Sequence, residues 1–125
     1  MLGYVTLGTN DHEKALAFYD ALMGSIGHTR VFDDGNFVAW GASLDQPAIA
    51  ITKPFDGKPA TVGNGVMVAI QRPSKEEVDA FYHKALELGA TDEGPPGQRI
   101  EGFYAGYFRD LDGNKLNAFC LIEQG

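Results

Sequence analysis

The chain repeats itself. Shifted back by 63 positions, Met67-Val68-Ala69-Ile70 falls on Tyr4-Val5-Thr6-Leu7, and Ala80-Phe81-Tyr82 falls on Ala17-Phe18-Tyr19. A repeat at fixed offset constrains the fold more than local propensity does, because each copy must build the same supersecondary unit. In both copies a strand-like run leads into a helical pattern. One βα-led module is therefore used twice, with a ligand site expected where the copies face each other.

The first module reads as βαβββ over residues 1–53. Leu2 to Gly8 alternates as a strand, with Tyr4 and Thr6 on one face and Val5 and Leu7 on the other. Asn10 or Asp11 caps the helix that follows. Asn10 and Glu13 have capping-box spacing, and Ala15, Phe18, Tyr19, Leu22 and Ile26 form the apolar stripe. Strands are expected at His28 to Phe32, Asn36 to Gly41 and Ala48 to Lys53, with Asp33-Asp34-Gly35 as a hairpin turn. Residues 54–65, rich in proline and glycine, read as a linker.

The second module, residues 66–125, repeats the plan. A strand at Val66 to Gln71 precedes a helix with Ser74 as cap and Glu77 reaching back, and Val78, Phe81, Tyr82 and Ala85 lie on its buried face. A weak strand at Ala90 to Glu93 gives way to an irregular loop forced by Gly94-Pro95-Pro96-Gly97 and running to Gly102. Strands Phe103 to Arg109 and Lys115 to Ile122 close the module around Asp110-Leu111-Asp112-Gly113-Asn114. That turn sets Arg109 opposite Lys115, Phe108 opposite Leu116 and Tyr107 opposite Asn117, so Ala105, Tyr107, Asn117 and Phe119 share a face. An offset of 67 carries Tyr107 onto Trp40 and Asn117 onto Ala50. Trp40 and Ala50 are then the matching positions of the first module.

With 125 residues, 44% of them apolar, the chain fits one compact α+β domain. Ten basic against 17 acidic residues leave a net charge of −7 and no basic stripe, which argues against nucleic acid and anionic membrane as partners. The single cysteine, Cys120, sits in an apolar run; no internal disulfide is possible, and a cytoplasmic, reducing location is expected. Neither a secretory leader nor a membrane-spanning run is expected.

The opening Tyr4-Val5-Thr6-Leu7-Gly8-Thr9-Asn10-Asp11, the Phe18-Tyr19 pair and the closing Arg109-Asp110-Leu111-Asp112-Gly113-Asn114-Lys115-Leu116-Asn117 resemble the vicinal oxygen chelate superfamily, the group of glyoxalase I, extradiol dioxygenases and bleomycin-resistance proteins. The resemblance covers nearly the whole chain. It implies two βαβββ modules forming a curved mixed β-sheet with helices on the outer face, and a homodimer. In the metal-dependent branches a divalent ion is held between the modules by four residues, one from the first and one from the last strand of each. Carried over, those places are Tyr4, Ala50, Met67 and Asn117. A phenol, a methyl, a thioether and a carboxamide are poor ligands for such an ion, and His12, His28 and His83 fall on helices or just after one, so no metal and no other cofactor is expected.

Other chemistry finds little support. Asp110 and Asp112 beside Gly113 lack the later acidic ligands of a calcium loop, and Gly63-Asn64-Gly65 lacks the third glycine of a dinucleotide fingerprint. No nucleophilic triad or carboxylate pair can be assembled from spacing. The candidate ligand-binding residues are Tyr4, Thr6, Trp40, Met67, Tyr107, Arg109, Asn117 and Phe119, rings and polarizable groups with a few hydrogen-bonding atoms. The same set could instead fill a core or a dimer interface. The function expected is metal-independent binding of a small organic molecule, similar to the antibiotic-binding branch, and the net negative charge would favour a cationic compound. The alternative is a glyoxalase I-like lyase, which needs the metal ligands that the chain lacks, or a related enzyme of the superfamily acting on a small organic substrate; a third is metal-free catalysis through Tyr4, Tyr107 and Arg109.

Overall fold

The computed structural model describes residues 1–122. The chain divides into two compact units, one from Met1 to Asn64 and one beginning at Gly65. The expected second module, 66–125, thus ends with three residues outside the described ones.

In the first unit, strand β1 (Tyr4–Gly8) is followed by helix α1 (His12–Gly24) and strands β2 (Thr29–Asp33), β3 (Val38–Gly41) and β4 (Ala48–Thr52). The sheet order is β1-β4-β3-β2, with β1 parallel to β4 and the other pairs antiparallel. Helix α1 buries Ala15, Phe18, Tyr19, Leu22 and Met23, its apolar stripe, against β2, β3 and β4. The cap is Asp11, which accepts from Lys14 N at 3.2 Å. Asn10 is used differently: its amide donates to Ala60 O at 3.0 Å and accepts from Ala60 N at 2.7 Å. That two-point clamp holds the expected linker segment against the first unit.

The second unit repeats the order: β5 (Val68–Gln71), α2 (Lys75–Glu87), β6 (Thr91–Ile100), β7 (Phe103–Arg109) and β8 (Lys115–Leu121), with sheet order β5-β8-β7-β6. Ser74 caps α2 by accepting from Glu77 N at 3.2 Å. The Glu77 carboxylate does not reach back as expected but pairs with Arg72 at 3.2 Å, since an arginine just outside the helix offers the stronger, charge-assisted partner. Val78, Phe81, Tyr82 and Ala85 are buried, each at most 3% exposed. Burying large apolar side chains of this kind contributes roughly 1.5–3 kcal/mol apiece.

The segment expected as a loop from Gly94 to Gly102 is corrected. It belongs to a ten-residue edge strand, β6, whose pairing with β7 shifts register three times, between Asp92 and Gly94, Gly94 and Gly97, and Gln98 and Ile100. Pro95 and Pro96 fall within these irregularities, where a missing N–H removes no ladder bond. Gly106 on β7 lets the strands approach, because a Cβ there would meet Pro96 Cγ at 2.9 Å and Tyr82 Cδ2 at 3.2 Å.

Each module therefore has a four-stranded mixed sheet with a helix on one face. The other face carries no helix of its module. Among the described residues no helix is long and apolar enough to cross a membrane.

Candidate functional site

On the open face of the first module stand Tyr4 and Thr6 of β1, Ala48 and Ala50 of β4 and Ala39 of β3, because Thr6 pairs with Ala50 and Ala39 with Ala50. Arg30 pairs with Trp40 but Phe32 with Ala39, so the irregularity at Val31 turns Phe32 onto the open face. Phe37 makes edge contacts with Tyr4 at 5.6 Å and with Phe32 at 5.9 Å between ring centroids. These rings, with Leu44, Gln46 and Ala48, bound a cavity of about 340 Å³. Tyr4 and Gln46 are the lining residues whose side chains carry polar groups, the others being apolar or glycine.

Trp40 is not on this face. It pairs with Ile49 on the helix side, is 1% exposed, and lies 5.7 Å from the Tyr19 ring. Its Nε1 donates to Asp20 Oδ1 at 2.8 Å. Arg30 adds a two-point contact to Asp20 at 2.9 and 2.8 Å and a bond to Asp33 at 2.8 Å. The Arg30 hydrogen bond, then that of Trp40, holds the Asp20 carboxyl below its ordinary range against partial desolvation. The expected match of Trp40 to Tyr107 fails because Ala39 pairs with Ala50 while Tyr107 pairs with Asn117, one residue more between partners in the first module. One added residue exchanges the faces of a strand.

In the second module the expected register holds: Arg109 opposite Lys115, Phe108 opposite Leu116, Tyr107 opposite Asn117. Ala69 joins Asn117 on the open face, and Phe103 stacks on Phe119 at 5.3 Å. Asn117 is 1% exposed. Its Nδ2 lies 3.8 Å from Met67 Sδ, and its Oδ1 is buried without a donor. The hairpin turn is a hydrogen-bonded one: Asp110 Oδ1 accepts from the N–H groups of Asp112 and Asn114, both at 2.9 Å. Arg109 Nε donates to Glu93 Oε1 at 2.6 Å. Arg99 and Lys115 lie over the Tyr107 ring at 5.2 and 5.5 Å. Sequence reasoning passed over Arg99, because its segment read as a loop, and gave Lys115 no role beyond its register.

The metal positions carried over from the resemblance hold Tyr4, Ala50, Met67 and Asn117. Asn117 faces a thioether, and among the described residues no three His, Cys, Asp or Glu side chains group together. This donor set does not fit a hard or borderline divalent ion. His12 opens α1 and its Nε2 lies 2.9 Å from Gly35 O, while His83 projects exposed from α2.

Two βαβββ modules, each a helix on a mixed four-stranded sheet with a second face left open, define the class of protein. The chain belongs to the glyoxalase/bleomycin resistance protein/dioxygenase superfamily, whose family model matches residues 1–118. It is similar to a glyoxalase/bleomycin resistance protein from Albidiferax ferrireducens, at 36% identity and TM-score 0.86 over 96% of this chain and 98% of that one. A superfamily member from Sphaerobacter thermophilus matches at 27% identity and TM-score 0.68, covering 96% of each chain. A lactoylglutathione lyase from Agrobacterium tumefaciens shares the fold at 20% identity and TM-score 0.70, over 96% of this chain and 92% of that one. No curated protein matches the chain.

Proposed function

We propose that the protein binds a small organic molecule without a metal, as a sequestering protein for an antibiotic or toxic metabolite. The cavity of about 340 Å³ walled by Tyr4, Phe32 and Phe37 carries this reading. Its size lies at the lower end of the range for small-molecule sites, roughly 300–1,000 Å³, and its walls combine rings with few polar groups. Tyr4, Thr6, Met67, Tyr107, Arg109, Asn117 and Phe119 are the binding residues of the open faces; Trp40 has a structural role instead. A lyase of the glyoxalase I type needs an ion to polarise its intermediate, and the donor set speaks against it. The homodimer is carried over from the resemblance.

The test is a thermal-shift screen of aromatic compounds in the presence of EDTA, repeated with Phe37→Ala. A compound that raises the melting temperature of the natural chain, and less so that of the variant, supports the proposal. Stabilisation that requires an added divalent ion contradicts it.

A further inference from the structure

Along the open face of the second module the side chains change character in a fixed order. The rungs are Arg109 opposite Lys115, Tyr107 opposite Asn117, Ala105 opposite Phe119 and Phe103 opposite Leu121. Charge gives way to a polar ring, and that to stacked apolar rings. Three cations, Arg99, Arg109 and Lys115, gather at the first end in a chain of net charge −7.

Only Arg109 is held in a direct ion pair, while Arg99 acts on the Asp92 carboxyl through space. Arg109 is paired with Glu93 at 2.6 Å, whereas among the described residues Arg99 and Lys115 have no carboxylate at ion-pair distance. Asp92, on the same strand as Arg99, is engaged by the Tyr82 hydroxyl at 2.6 Å and the Gly94 N–H at 2.9 Å. Arg99 spends one donor on the Pro95 carbonyl. Both cations rest over the Tyr107 ring, a contact that positions them while leaving N–H donors for another acceptor.

We infer that this face takes a small amphiphilic carboxylate, its acid group between Arg99 and Lys115 at the Tyr107 ring and its apolar body along Phe119 and Phe103. The rung of Tyr107 and the rung of Phe119 are two residues apart, about 7 Å at ~3.4 Å per residue, which matches an acid group and a ring joined by a short alkyl chain. Local charge thus selects against the cationic compounds that the overall negative charge favours, because the nearest charges act in the site while distant ones are screened. The inference rests on the reading of the open face as a binding surface, and adds the charge and shape of what it binds.

The test uses the full chain, labelled with nitrogen-15, titrated with 3-phenylpropionate, its neutral amide and 3-phenylpropylamine. The acid is expected to shift the amide signals of Tyr107, Asn117 and Phe119 and to bind about tenfold more tightly than the neutral amide, with the amine weakest. In the double variant Arg99→Gln, Lys115→Gln the acid is expected to fall to the affinity of the amide. Wild-type-like spectra elsewhere establish that the variant is folded; should it fail to fold, Lys115→Gln alone is read the same way, with a partial loss expected. The inference is overturned by equal binding of acid and amine, by an unchanged affinity in the variant, by silence of these signals at millimolar acid, or by acetate binding as tightly as phenylpropionate, an adventitious ion only. Signals of Tyr4 and Phe37 that answer a neutral compound while Tyr107 ignores the acid sink this inference alone. If screening finds no ligand at any face, the broader binding proposal falls too.

Discussion

The Trp40 indole N–H donates a hydrogen bond to the Asp20 carboxylate across the helix-sheet interface, at 2.8 Å. The largest ring of the first module is therefore a fixture of the core side, held by a carboxylate that Arg30 grips at two points. Replacing Trp40 by Phe leaves that carboxylate short of one donor and opens a small void. A loss of about 1–2 kcal/mol in unfolding free energy is expected from denaturant titration, with unchanged ligand affinity. A variant of full stability and weakened binding would return Trp40 to the site.

Stability should fall at both ends of the pH scale, for opposite reasons. Asp20, through Arg30 and Trp40, and Asp92, through the Tyr82 hydroxyl and Gly94 N–H, titrate below the ordinary 3.8 in the folded chain. A lowered folded value means stabilisation that is present above 3.8 and lost as pH falls through the folded values. Tyr104, bonded to Asp79, and Tyr82, desolvated and bonded to Asp92, are pushed up from 10.0 to about 12. Their neutral forms are the favoured ones, so that stabilisation is full below pH 10 and lost as pH rises toward 12. Melting temperatures across pH should show both limbs, with Asp20→Asn flattening the acid one and Tyr104→Phe the alkaline one.

Gly106 tests the packing of the edge strand. A methyl group there would sit 2.9 Å from Pro96 Cγ and 3.2 Å from the Tyr82 ring, and the proline offers no flexible end to yield. Gly106→Ala should cost about 1–3 kcal/mol by overpacking, with hydrogen exchange accelerating first along β6. Uniform loss across the sheet would mean that the contact is not local.

The module-one cavity makes its own demand. Tyr4 and Phe37 meet edge to face, and both form its wall. Tyr4→Ala or Phe37→Ala should weaken a ligand found by screening by about tenfold or more, as expected for losing an aromatic wall. Calorimetric titration showing equal affinities would move the ligand elsewhere.

The modules, their helices and the closing hairpin were legible because apolar periodicity and the repeat fix them directly. Phe18-Tyr19 and Phe81-Tyr82 point inward as their spacing requires. What the chain hid were departures of a single residue. One extra position between Ala39 and Ala50 put Trp40 on the wrong face, and the irregularity at Val31 concealed Phe32 as a cavity wall. Gly94-Pro95-Pro96-Gly97 reads as loop chemistry, yet an edge strand tolerates it by shifting register, and with that strand comes Arg99. Tyr4, Tyr107 and Asn117 lie on the sheet face that alternation and turn length assign them, because no such insertion intervenes.

Under the proposed function, this superfamily member binds its ligand with organic side chains and no ion. The most direct measurement is elemental analysis of protein purified without chelator, paired with ligand titration before and after EDTA. Sub-stoichiometric Ni, Zn, Fe and Mn with unchanged affinity is the predicted result; a stoichiometric metal whose removal abolishes binding would contradict it.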